Sequence, residues 1–326
     1  MSKRVTINDV AEAAGVSRQT VSRALNDKGE IDGSTKQRVL DAARDLGYRP
    51  SRFARGLVRQ DSTTIGLVIP DLLNPFFTEV AAGALEAARA RGWHVIVYDT
   101  ADSIDEERGT LEVVVAQVDA VVGYFSLDEA ELDGHLKGIP AVLIGREHST
   151  PRFSSIRVEG ATGVREAVDH LVTRGHRQIG MLDHAGRAEP SIRRTWFADA
   201  MTAHGLNAEA VGNAVQSVDG GAEALTNLLS GHPDLTAVFT FNDIIAIGAL
   251  RAARQLGRAV PADLAVIGFD GLQLGTVVHP ALTSVALDTA RVGALAIEQA
   301  GRLLAGDTLP GEELQVNAVL LVRESA

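Results

Sequence analysis

Arg18, Gln19, Ser22 and Arg23 stand close together in one short stretch, and their types are those that read base edges in DNA. An arginine fork matches O6 and N7 of guanine, and a glutamine amide matches N6 and N7 of adenine. Thr6, Ser17 and Thr20 add short hydroxyls suited to phosphate oxygens. Residues 1–60 carry twelve Lys/Arg and seven Asp/Glu, a net charge of +5, whereas the rest of the 326-residue chain has a net charge of −16. A basic head on an acidic body predicts that the head alone meets a polyanion. The alternative is a small bundle with an ordinary solvated face. Enzyme chemistry has no comparable support. There is no GxGxxG, P-loop, HExxH or GxSxG pattern. The nine histidines are scattered, the nearest pair being His170 and His176, and the absence of cysteine excludes disulfides, thiolate zinc sites and cysteine nucleophiles. A non-enzyme with no cofactor and no metal is expected.

The base-reading residues need a helix–turn–helix to present them. Thr6 to Asp9 is a helix-capping pattern with Thr6 as N-cap, and Ile7, Val10, Ala11 and Ala14 then share one face. Gly15 supplies a turn, and Ser17 caps a second helix with Val21, Ala24 and Leu25 inside. Ser34 with Gln37 reads as a capping box for a third helix, with Val39, Leu40, Ala43 and Leu46 as its apolar stripe and Gly47 at its end. An all-α domain over 1–49 is predicted. Residues 50–61 form a basic connector after Pro50, with Arg52, Arg55 and Arg59 on one helical face. Gly56 weakens that helix by roughly 1 kcal/mol relative to Ala.

From Thr64 the pattern changes. Apolar runs at 65–69, 95–98, 120–125, 141–144, 179–182, 237–241 and 265–269 alternate with helical stretches, the first across 76–91. Strands apolar on both sides imply parallel sheets covered on both faces. The length of 62–326 exceeds one ordinary sheet, so two α/β lobes are expected. No run of about 18 uncharged apolar residues occurs, so no membrane helix is expected. The start of the chain lacks the apolar core of a secretory signal, and a cytoplasmic location is predicted.

Thr6 to Asn26 resembles, nearly residue for residue, the DNA-binding motif of the LacI/GalR family of bacterial transcription regulators. Tyr48-Arg49-Pro50 and Ala54-Arg55-Gly56-Leu57 are similar to the family's hinge helix. Ile65-Gly-Leu-Val-Ile-Pro, Asn74-Pro-Phe-Phe77, Gly175-His-Arg-Gln-Ile-Gly180, Phe241-Asn-Asp243, Val260-Pro261 and Ile267-Gly-Phe-Asp270 follow in family order. The resemblance implies a homodimer on a pseudo-palindromic double-stranded DNA operator, most simply a repressor, controlled by a small effector. It implies that Leu57 wedges into the minor groove, with Arg52, Ala54 and Arg55 beside it, and that Arg52, Arg55 and Arg59 face phosphate or the partner hinge. A wedge of this kind unstacks a base step and bends the duplex; a linker leucine packed on the body is the alternative. The family's tetramer-forming C-terminal helix has no counterpart before Ala326, so a dimer is expected.

The remainder resembles the type I periplasmic sugar-binding fold, with the near lobe at about 62–160 plus 290–326, the far lobe at about 161–289, and ligand in the cleft at the strand ends. The implied effector residues are Asn74, Phe76, Phe77, Arg146, Arg193, Asn242 and Asp270, with Trp196, Tyr124 and Val218 as further lining. Aromatic rings cover sugar faces, and the polar groups pair with hydroxyls; a monosaccharide is the expected ligand. Each residue has an alternative role: Phe76 and Phe77 in the core, Asn242 as a helix cap, Arg146 paired with Glu147 or Asp71, and Arg194 in place of Arg193. Gly145 stands where sugar-binding relatives often carry Asp, and Leu287 where many carry Gln. A less polar ligand such as a nucleoside or purine, or a partner protein, therefore remains an alternative. A transport-type sugar-binding protein is more remote, because it would not carry the basic head.

Overall fold

The computed structural model describes residues 7–25, 31–46, 63–146, 152–185, 190–307 and 312–326. The chain divides into two units, Met1–Ser62 and Thr63–Ala326. Thr6, Arg52, Ala54, Arg55, Leu57 and Arg59 lie outside the described residues, as does the expected boundary near residue 49.

In the first unit, α1 (Ile7–Ala14), α2 (Arg18–Leu25) and α3 (Gly33–Asp45) share a core of Val10, Ala11, Ala14, Val21, Ala24, Val39 and Ala43. Helices this short are marginal alone, so the shared core holds them. Gly15, at φ +64°, makes the turn between α1 and α2 in a conformation that favours glycine. Ser17 caps α2, its Oγ accepting the Thr20 N–H at 3.1 Å. The cap of α3 differs from the expected Ser34–Gln37 box. Asp32 accepts the N–H groups of Ser34 (3.0 Å) and Thr35 (3.1 Å), and Gln37 donates to Asp41 (3.1 Å) instead. A carboxylate one residue before the helix meets both its free amides and its positive dipole end. Leu46 falls one residue past α3 and is 38% exposed rather than part of the apolar stripe.

Among the described residues the second unit holds two six-stranded sheets. The first contains β1 (Thr64–Ile69), β2 (His94–Asp99), β3 (Ala120–Gly123), β4 (Ala141–Ile144), β5 (Ser154–Glu159) and β11 (Glu313–Asn317), in the order β11-β5-β4-β3-β1-β2 and all parallel. The second contains β6 (Ile179–His184), β7 (Val211–Ala214), β8 (Ala237–Thr240), β9 (Ala265–Asp270), β10 (Thr283–Ala286) and β12 (Val319–Leu321), in the order β12-β10-β9-β8-β6-β7. Among the described strands only β12 runs antiparallel, beside β10. The helices α4 (Pro75–Ala90), α5 (Ile104–Val114), α6 (Glu129–Leu136) and α11 (Thr289–Leu304) go with the first lobe. The helices α7 (Ala161–Thr173), α8 (Ile192–Ala203), α9 (Val218–Gly231) and α10 (Asp243–Gln255) go with the second. The strands β3, β4, β8 and β9 are buried along their whole length, as parallel strands covered by helices on both faces must be.

Among the described residues the chain passes between the lobes three times: from β5 to α7, from β10 to α11, and from β11 to β12. The last crossing corrects the expected lobe limits. Residues 319–326 belong with the second lobe, since β12 pairs with β10 and the Ser325 hydroxyl donates to the Val266 carbonyl at 2.6 Å. In the first lobe α4 and α11 pack at backbone distance. A Cβ at Gly83 would lie 2.3 Å from the Ala290 carbonyl oxygen, and one at Gly293 2.1 Å from that of Val80.

Candidate functional site: the cleft between the sheet lobes

The carboxyl ends of the strands in both sheets open onto one cavity of about 700 Å³. Its first-lobe wall begins at Asn74, whose Oδ1 accepts the Phe76 N–H at 3.1 Å and caps α4. That cap, with Pro75 at the first helical position, fixes where the next two side chains start. Phe76 is buried among core residues and also lines the cavity, and Phe77 is half-buried beside it. The two rings meet edge-on at 5.2 Å, and Tyr124 completes the cluster at 5.1 Å from Phe77 and 6.0 Å from Phe76. Gly145, at φ +74°, lies under the Tyr124 ring, where a Cβ would come within 3.2 Å of it. The Tyr124 hydroxyl is enclosed and has no hydrogen-bond partner among the described residues. Burial, with the nearby Asp270 carboxylate, holds its pKa well above the ordinary phenol range against the opposing pull of Arg193. Arg146 donates to the Leu127 carbonyl at 2.5 Å and lines the cavity.

The second-lobe wall is built around Arg193, in the first turn of α8, which Ser191 caps by accepting the Arg194 N–H at 3.1 Å. The guanidinium lies 3.7 Å from the Phe269 ring centroid and 4.4 Å from that of Phe241, and it donates to the Phe241 carbonyl and to Asp270, the latter at 3.3 Å. Cation–π contact with two rings suits a guanidinium that must shed water. Burial works against both charges of this pair. It lowers the Arg193 pKa and raises that of Asp270, while their mutual attraction opposes each shift. Asp270 ends β9 at φ +117°, an unusual conformation for a residue other than glycine. Behind it lies fully buried Asp243, which accepts the Ser284 hydroxyl at 2.6 Å and the Leu272 N–H at 2.7 Å. Burial outweighs those bonds and raises the Asp243 pKa to about 7.

All seven residues expected from the sequence, Asn74, Phe76, Phe77, Arg146, Arg193, Asn242 and Asp270, border this one cavity. Several of the alternatives coexist with that position. Asn242 caps α10 through its Oδ1 (Ile245 N–H, 2.9 Å) while its amide donates to Gln216 at 3.0 Å. Tyr124 and Trp196 also line the cavity; Val218 does not, and Leu287 is buried in the core. Gln216, His184 and Phe241 were not foreseen. Gln216 and His184 sit at or beyond strand ends in polar surroundings without periodicity, although Phe241 directly precedes Asn242 and extends the apolar run of β8. No group of three or more His, Cys, Asp or Glu among the described residues is placed to hold a metal ion. In the first unit Ser17, Arg18, Gln19 and Arg23 are exposed along α2, with Thr20 and Ser22 half-buried. No described helix is long and apolar enough to cross a membrane.

The family model described as "Bacterial regulatory proteins, lacI family" matches residues 6–51, and the "Periplasmic binding protein-like domain" matches 168–326. Catabolite control protein A of Priestia megaterium is 32% identical over 98% of this chain and 99% of its own. The crystal structure of the lac repressor dimer bound to operator and the anti-inducer ONPF superposes with a TM-score of 0.76 at 27% identity, covering 99% of both chains. The complex of the transcriptional regulator CelR with cellobiose gives a TM-score of 0.73 at 29% identity, covering 99% of this chain and 100% of that one. With a helix–turn–helix head, a two-lobed ligand cleft and full-length likeness to these regulators, the chain belongs to the lacI family of bacterial transcriptional regulators.

Proposed function

We propose that this regulator is a repressor that binds a pseudo-palindromic operator as a homodimer in the cytoplasm, and that an uncharged sugar-like molecule in the interlobe cleft controls it. The observation that carries this reading is the convergence of the aromatic cluster of one lobe and the Arg193–Asp270–Asn242 group of the other on one cavity. The Arg193 charge is already matched by Asp270 and the Phe241 carbonyl, so the site favours neutral hydroxyls over a phosphate. Arg18, Gln19, Ser22 and Arg23 read bases, with Ser17 and Thr20 on phosphates. Thr6, Arg52, Ala54, Arg55 and Leu57 complete the DNA contacts of this proposal. A second copy would cover the apolar side chains exposed on the second lobe, where Leu274 (40%), Val277 (75%), Leu321 (40%) and Val322 (50%) stand.

A nucleoside is the second reading, favoured by one observation. Gly145 brings no carboxylate and leaves the Tyr124 ring as the surface there. The test is a thermal-shift screen of the full chain with neutral monosaccharides, disaccharides and nucleosides, since a ligand of the folded state raises the melting temperature. A stabilising sugar whose effect disappears in Arg193→Ala is the expected result. A ligand that stabilises wild type and Arg193→Ala equally would place binding elsewhere.

A further inference from the structure

The turn that follows Asp270 is held in an unusual way. Its three successive backbone N–H groups are each taken by a side chain: Gly271 by the Ser284 hydroxyl (3.1 Å), Leu272 by Asp243 (2.7 Å), and Gln273 by Glu79 (3.4 Å). The first two acceptors belong to the same lobe as the turn. Glu79 does not; it lies on α4 of the other lobe, 194 residues away in sequence. Its second carboxylate oxygen accepts the Thr289 hydroxyl at 3.1 Å. Thr289 is the first residue of α11, at the crossing that joins the lobes, and α11 packs on α4 at backbone distance. One oxygen of Glu79 is thus anchored within its own lobe while the other reaches across to the opposite one. The first turn of the same helix carries Phe76 and Phe77, so the cleft wall and the bridging carboxylate move together.

We propose that Glu79 is a positioning residue that clasps the two lobes and sets the angle between them, by holding the turn that carries Asp270. Gly271 and Leu272 keep their partners at any lobe angle, because those partners travel with them. The Gln273 bond alone among the three stretches or breaks when the cleft opens or closes. A ligand that engages Asp270 therefore works on a segment whose last amide is fastened to the other lobe, and the bond gives that engagement a lever on the lobe angle. This coupling rests on the effector reading above; the clasp itself does not.

The test uses the full chain without ligand. The sequence contains no cysteine, so Glu106→Cys on α5 and Glu223→Cys on α9, both exposed, take spin labels at one site in each lobe. Dipolar spectroscopy then reads the spread of lobe separations. In Glu79→Ala the distribution shifts or broadens, and the Gln273 amide exchanges about tenfold faster or more. The amides of Gly271 and Leu272, and those within β1 and β8, keep their protection, which separates a local release from unfolding. Glu79→Gln retains an acceptor for Gln273 and a donor for the Thr289 hydroxyl, and it matches wild type. Gln273→Pro removes the donor from the opposite side. The backbone accepts this change, since Leu272 at φ −53°, ψ 144° is already extended and Gln273 opens a short 3-10 helix. It reproduces the Glu79→Ala distribution, and combining the two adds nothing. Wild-type distances and Gln273 protection in Glu79→Ala, or a Glu79→Gln protein as altered as Glu79→Ala, would overturn the clasp. No ligand enters the measurement, so that failure leaves the effector reading intact, and an unsuccessful ligand screen leaves the clasp testable.

Discussion

Arg193 and Asp270 are buried together, and a buried ion pair is costly to break from one side. Asp270→Ala leaves the guanidinium without its carboxylate, and a loss of about 3–5 kcal/mol in unfolding free energy is expected. Asp270→Asn keeps an oxygen toward Arg193 and should lose clearly less; urea denaturation of the two variants distinguishes them, and negligible losses in both would mean that the pair contributes little. Asp243 makes a pH prediction. Its folded pKa of about 7 lies above the ordinary carboxylate value of 3.8, so the folded state holds the proton more tightly than the unfolded one. Stability from this group is fully present below about pH 4 and declines as pH rises through about 7. The melting temperature of the second unit should therefore fall between pH 5 and pH 8, and Asp243→Asn should flatten that slope even if it lowers the melting temperature throughout. An identical slope in the variant would assign the dependence to other groups. Much of this chemistry was legible in the sequence, because Asn74, Arg146 and Asp270 each follow an apolar run whose end is visible. The Arg193–Asp270 pair and the Glu79 bridge were not. They join residues 77 and 194 positions apart, and no local pattern records such a meeting.

Among the elements, those buried on both faces were the ones the sequence displayed. The runs at 141–144 and 265–269 became β4 and β9 almost unchanged. The strands β5, β7, β10 and β11 leave no clear apolar run in the sequence, because their segments, such as Ser154-Ser-Ile-Arg-Val-Glu159, mix polar and apolar residues at the margins of the sheets. The third helix was visible, but its cap was not, since Asp32 and Ser34 are both good cap residues and only the backbone decides between them. The contact of α4 with α11 depends on absent side chains. Gly293→Ala would drive a methyl group to 2.1 Å from the Val80 carbonyl oxygen, and a cost of about 1–3 kcal/mol or more is expected as the helices are forced apart. Gly109→Ala is the control. It lies in α5 with nothing within 4 Å of the added carbon, and it should stabilise by about 0.5–1 kcal/mol through the greater helix preference of alanine. Denaturation midpoints of the two variants should move in opposite directions; matched destabilisation would show that helical glycines, not the close approach, set the cost.

The charge of the whole chain is divided between its ends in a way that bears on DNA binding. The first 60 residues have a net charge of +5 and the remainder −16. Lysine and arginine that replace counterions along DNA make affinity depend on salt, with a slope of about −0.9 for each phosphate neutralised on a log–log plot. If each dimer neutralises six or more phosphates, the slope is about −5 or steeper between 50 and 200 mM salt. The remainder carries an excess of negative charge that opposes any further contact with a polyanion, so weak binding to unrelated DNA should fall to background over the same range. Arg18 tests the division of labour within the head. It is exposed at the start of α2, and in the proposed operator complex its guanidinium would bond guanine O6 and N7 and set the preference for one base pair in each half-site. Arg18→Ala should cost about 1–3 kcal/mol on the preferred operator and little on one altered at that symmetric pair of positions, with the salt slope nearly unchanged. Fluorescence anisotropy titrations of both operators at several salt concentrations supply the four numbers needed. An equal loss on both sequences, with a slope shallower by about one per subunit, would make Arg18 a phosphate contact. A slope near zero for the wild-type protein would remove the electrostatic basis of the proposed operator complex altogether.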